Sequence, residues 1–209
     1  MRGRILIGAA AIALLLAGCT PPAEPSTPEA SPSVTESPRP TPTVEPTTEP
    51  VVDPLGIPEC EILVPIALAK HQFSESTEFS GEMTAAEYPV RFDVPGVTAA
   101  LVGAETFRAC AWAVPNSDGF FALAVASITA DTRTSLQAEL SAAGFASTTM
   151  GTVTAFELEG EGPVSGIGAT YLFTGDVLIG CNGTSISLTG AITGSALDAM
   201  RTANPSLGL

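Results

Sequence analysis

The chain has 209 residues, 22 of them acidic and 8 basic, giving a net charge of −14 with a mean hydropathy of +0.34. Nucleic acid is excluded as a natural partner, since phosphate contacts need clustered Lys and Arg. The same deficit excludes a basic membrane-binding face, because anionic headgroups repel so acidic a body.

Arg2 and Arg4 precede an unbroken run of apolar or small residues over 5–16, which ends in Leu16-Ala17-Gly18-Cys19. A charged start, an apolar stretch and a small-residue processing site make a secretory signal over residues 1–18. The run has twelve residues, whereas crossing hydrocarbon takes roughly 20. The Leu-Ala-Gly-Cys sequence resembles a bacterial lipobox, which implies that Cys19 is diacylated and becomes the mature N-terminus. Two acyl chains anchor stably where one is marginal. The membrane is then reached through the lipid, on the outer face of the cytoplasmic membrane.

Residues 20–50 contain ten Pro and eleven Ser or Thr, with five Glu, one Arg, two Ala and two Val. Nothing there can bury enough apolar surface to offset ordering entropy, so residues 19–50 are expected to be a lipidated, disordered tether. Extended polyproline II sets its reach at about 95 Å, into the cell wall. Its hydroxyls are also acceptor positions for O-glycosylation.

Residues 51–209 are long enough for one domain with a genuine core. They carry five basic and seventeen acidic side chains, a net charge of −12. Cys60, Cys110 and Cys181 enter an oxidising compartment on export, so one disulfide and one leftover thiol are expected, with three pairings open. No spacing among them suits a metal: there is no C-x₂-C, and His71 is the only histidine. No cofactor motif is present either.

Pro65 suits the first turn of a helix running to about Phe73. From 74 to 101 the breakers Gly81, Pro89, Pro95 and Gly96 predict an irregular stretch, a binding loop or a poorly ordered one. Residues 106–114 alternate about Cys110 and Trp112, and 115–119 are turn chemistry. A second strand, 120–129, is apolar on both faces and therefore central to the sheet. Asp131 is placed as the N-cap of a helix with Leu136, Leu140 and Ala143 on one face, closed by Gly144.

A strand is predicted over 153–159 and a loop over 160–168. Three antiparallel strands then follow, at 169–173, 177–181 and 184–188, the last two joined by an Asn182-Gly183 turn. A short helix over 195–203 ends the chain. The order helix, hairpin, helix, meander, helix predicts an α+β fold, an antiparallel sheet packed by two to three helices.

Cys60-Glu61-Ile62-Leu63, followed some fifty residues later by Arg108-Ala109-Cys110-Ala111-Trp112, resembles actinobacterial lipoproteins of unknown function with a C-x-x-L and C-x-W pattern. The polar turn, apolar strand and helix ending in Ala-Gly-Phe extend the likeness, and the scarcity of lysine in an Ala- and Gly-rich chain fits a GC-rich genome. The fold of these lipoproteins is similar to the extracellular sensor domain of mycobacterial serine/threonine kinases. The resemblance implies a Cys60–Cys110 disulfide and no enzymatic activity. Cys181 would then be a buried thiol beside the Asn182-Gly183 turn.

His71, Ser74, Glu75 and Glu78 are the ingredients of a nucleophilic triad, but no G-x-S-x-G elbow accompanies them. Glu157, Glu159 and Glu161 alternate into a carboxylate stripe that lacks the tight loop Ca²⁺ requires, and it reads as the solvated face of an edge strand. Trp112 is assigned to core packing over the disulfide. Asn182-Gly183-Thr184 matches a glycosylation acceptor whose turn role suffices. The expectation is a non-catalytic ligand-binding or sensing module, with a concave sheet face framed by residues 74–101. Its alternative is a protein-interaction module near a membrane complex, and an envelope hydrolase comes last.

Overall fold

Seven strands pair into one antiparallel sheet. The computed structural model describes residues 54–162 and 165–209. The lipobox, Cys19 and the tether therefore lie outside the described residues. The elements are α1 (Cys60–Leu63), α2 (Ile66–Gln72), β1 (Glu78–Met83), α3 (Pro95–Val102), β2 (Phe107–Ala113), β3 (Phe120–Ser127), α4 (Ala130–Ala142), β4 (Ala146–Met150), β5 (Val153–Glu161), β6 (Gly166–Thr174), β7 (Val177–Gly183) and α5 (Ile186–Ala203). The strand order is β1-β2-β3-β7-β6-β5-β4, and every neighbouring pair is antiparallel. The fold is α+β with an antiparallel sheet, as the sequence predicts, and the described residues include five helices.

Period-2 alternation sends β3 side chains to two separate cores. Phe121, Leu123 and Val125 join Cys110, Trp112, Ile179 and the buried face of α5. Ala122, Ala124 and Ala126 meet Val97 and Leu101 of α3 and Leu136 and Leu140 of α4. The sheet is thus covered on both faces, which explains why β3 and β7 read as continuously apolar. The concave sheet face expected to hold a ligand is filled by these helices.

α4 begins two residues earlier than its charge pattern predicts. Thr129, not Asp131, is the N-cap, and its side chain accepts from the Thr132 amide at 3.2 Å. Asp131 sits in the first turn, where a carboxylate complements the helix dipole. Gly144, at φ 91°, closes the helix as expected. The Phe145 amide returns to Leu140 and the Gly144 amide to Ser141, both at 3.1 Å.

Two further expectations are corrected. Residues 74–101 are not irregular throughout. β1 pairs with β2 through a bulge between Phe79 and Gly81, and Pro95 acts as a helix starter at the first position of α3. The Gly96 amide there is capped from another helix, by Glu139 Oε1 at 2.9 Å.

Asn182-Gly183 does not turn, and 184–188 is not a strand. Both residues belong to β7, and Ser185 caps α5 by accepting from the Leu188 amide at 3.2 Å. α5 starts at Ile186, nine residues before the predicted helix. Its threonines hide the signal: Thr193 donates to the Thr189 carbonyl at 2.9 Å and Thr189 contacts Thr170 at 2.8 Å, so polar residues face the core satisfied. Gly168 lets the helix start cross β6, since a Cβ there would lie 2.3 Å from the Ser185 carbonyl carbon.

Candidate functional site

Cys60 and Cys110 form a disulfide with Cα atoms 5.8 Å apart, tying α1 to β2. Arg108, on the same face of β2, grips Glu59 with both terminal nitrogens, at 2.6 and 3.2 Å, and also pairs with Glu82. Trp112 is fully buried, stacked on Phe121 with centroids 5.2 Å apart, as its assignment to the core required. Cys181 is the free thiol, and it is buried within β7 rather than beside a turn. Desolvation pushes its ionisation well above the ordinary thiol range.

His71 is exposed in the last turn of α2, and the only side-chain hydrogen bond of Ser74 runs from the Ser76 amide, among the described residues. The triad ingredients are not assembled. Glu157, Glu159 and Glu161 share a face of β5, which is not the edge, because β4 pairs outside it as far as Glu157. Glu157 instead accepts from Thr170 at 3.5 Å beneath α5. Among the described residues no group of three His, Cys, Asp or Glu is placed to hold a metal. Asn182 is fully enclosed, which removes it as a glycosylation acceptor.

What Asn182 does instead builds the most distinctive site in the molecule. Its Nδ2 donates to the Tyr88 hydroxyl at 2.8 Å and to the Tyr171 hydroxyl at 3.1 Å. These are the only tyrosines in the chain. Both are buried, and desolvation raises the ionisation of each, with the nearby Cys181 adding to it. Gly180 makes room for them, since a Cβ would lie 2.8 Å from the Tyr171 ring. The Asn182 Oδ1 accepts from the backbone amide of Arg91 at 3.4 Å. A buried network therefore sets the backbone at residue 91.

The network has an anchored approach. Glu87 accepts from the Thr84 amide at 2.9 Å and the Thr84 hydroxyl at 2.8 Å, closing the turn that delivers Tyr88. Those two bonds hold the Glu87 carboxyl below its ordinary value.

The Arg91 guanidinium lies over the Phe120 ring, 4.4 Å from the centroid. Its Nε is enclosed and has no hydrogen-bond partner. Arg108, Arg133 and Arg201 all form ion pairs, whereas Arg91 forms none among the described residues. It lines a cleft of about 650 Å³ at the end of the sheet, with Phe73, Phe120 and Ile167 as apolar wall. Gly119, Gly166 and Gly183 also line it, and exposed Asp118 stands at the rim.

Arg91 escaped the sequence reading because it lies between Pro89 and Pro95 in the stretch taken as irregular. The signal available was scarcity: a domain of net charge −12 keeps only five cations. No family model matches the chain, and neither a curated protein nor a solved structure matches it.

Proposed function

We propose that this protein is a lipid-anchored, extracytoplasmic ligand-binding or sensing module without catalytic activity, held at the membrane through Cys19. The observation that carries the reading is Arg91, a cation without a carboxylate partner, fixed in a cleft of small-molecule size. No carboxylate among the described residues pairs with that guanidinium, so its terminal nitrogens are left for an incoming ligand. Among the described residues no helix is long and apolar enough to cross a membrane, consistent with attachment by lipid.

The test is native mass spectrometry of the full chain, purified with its anchor from the host envelope and compared with the denatured mass. A non-covalent mass lost on denaturation supports ligand binding, and a clean apo mass refutes it.

A second reading, docking to an envelope protein, is favoured by the 60% exposure of Ile62. That side chain lies beside a shallow groove of about 580 Å³, which Ile57, Pro58 and Ala199 also line. Cross-linking in the intact envelope tests it, with a photoreactive residue in place of Ile62.

A further inference from the structure

Within the ligand-binding reading, we propose that the Arg91 cleft takes a single carboxylate carried on a small, flat, apolar body. A guanidinium is a planar fork that matches a carboxylate with two parallel hydrogen bonds, and stacking on Phe120 holds that plane. The two terminal nitrogens supply the arms of the fork, since no carboxylate among the described residues holds them. The backbone carrying it is set by Asn182, so little ordering remains to be done on binding.

Charge selects the monoanion. One guanidinium neutralises one negative charge, and Asp118 on the same rim repels a second. The domain's remaining charge fades over the screening length of about 8 Å at physiological salt, but a group within the cleft does not. A dianionic phosphate monoester would leave charge uncompensated. The body of the ligand is specified by the apolar wall of Phe73, Phe120 and Ile167, whose two aromatic rings suit a flat group.

The experiment is isothermal titration of the full-length chain in detergent with benzoate, phenyl phosphate and benzyl alcohol as probes. Benzoate is expected to bind one to one, with the other two weaker by about tenfold. Arg91→Met, which keeps the stem over Phe120, should weaken benzoate by about tenfold or more, and Arg91→Lys by less. Unchanged benzoate binding in Arg91→Met, tighter binding of phenyl phosphate, or no benzoate binding to the folded wild type overturns the proposal. If Arg91→Met loses the near-ultraviolet signal of Trp112, Arg91→Lys carries the comparison through loss of the fork alone.

The same variants separate this inference from the reading it rests on. A non-covalent mass from the host retained equally by wild type and Arg91→Met leaves ligand binding standing and overturns the carboxylate site. A mass carried by the wild type and lost from Arg91→Met supports both.

Discussion

Asn182 and Tyr88 stand 94 positions apart in sequence and meet through a 2.8 Å hydrogen bond in the buried interior, from the amide nitrogen of one to the hydroxyl of the other. This bond joins the inner strand β7 to the connection between β1 and α3. The stability of the sheet and the placement of Arg91 therefore share one side chain.

Asn182→Leu should destabilise the protein by about 3 kcal/mol, because both tyrosine hydroxyls lose their partner in a buried setting. Urea denaturation measures the loss. Hydrogen exchange should show residues 84–94 opening first, and the Arg91 amide losing protection more than the interior of β3. Equal protection in both places would show that the network does not hold this segment.

Two glycine substitutions should have opposite signs. Gly180→Ala drives a methyl group into the Tyr171 ring and towards the Tyr88 hydroxyl, 3.3 Å away, so a loss of about 1–3 kcal/mol is expected. Gly194→Ala lies inside α5 with nothing within 4 Å of the added carbon, and should stabilise by about 0.5–1 kcal/mol. Paired thermal melts decide both.

Alkaline pH should destabilise the fold in two limbs. Cys181, Tyr88 and Tyr171 all ionise at higher pH folded than unfolded, so their neutral burial contributes fully below the unfolded values and is lost above them. The first limb begins near pH 8.5 with the thiol and the second near pH 10 with the phenols. Each group contributes a slope of about 1.4 kcal/mol per pH unit. Cys181→Ala should abolish the first limb alone in denaturant titrations between neutral and alkaline pH.

The disulfide closes a span of 50 residues, and by the chain-entropy account its reduction should cost about 4 kcal/mol. Non-reducing peptide mapping should recover Cys60 linked to Cys110. Cys181 should react with a thiol reagent only after denaturation, being fully enclosed. A cross-linked peptide containing Cys181 would contradict the pairing.

Acidification tests the turn ahead of the site. Glu87 is held below its ordinary value by two bonds from Thr84, so its contribution is present above the unfolded carboxylate range and lost as pH falls through the folded value. Carboxyl titration by nuclear magnetic resonance should place its midpoint below the ordinary glutamate value.

The elements legible in the sequence were those whose local signals agree with their packing. α4 shows both an apolar face at Leu136 and Leu140 and a glycine stop, and its structure uses both. β2 and β3 flank a polar turn and pair in register from Phe107 to Ala113. β4 was not legible, because Ala-Ser-Thr-Thr-Met is exposed at every position and has no apolar face to alternate. Asn182-Gly183 misled for a different reason. Asparagine before glycine favours a tight turn when its amide is free, and here the amide is occupied by two tyrosines that come from elsewhere in the chain. The site itself depends on such long-range meetings, of Arg91 with Phe120 and of Asn182 with Tyr88, which no local period encodes.

The position of the disulfide also determines where a pull on the N-terminal chain would act. Tension entering ahead of the domain first meets Asn204, whose side chain grips Gly56 through two hydrogen bonds of 2.8 Å. Beyond that it reaches Cys60 and crosses directly to Cys110 in β2. β1, the Thr84 turn, Arg91 and α3 all lie between those cysteines in sequence, and so outside the line of force. A tug on the N-terminal chain would strain the sheet while the cleft's cation stayed unloaded.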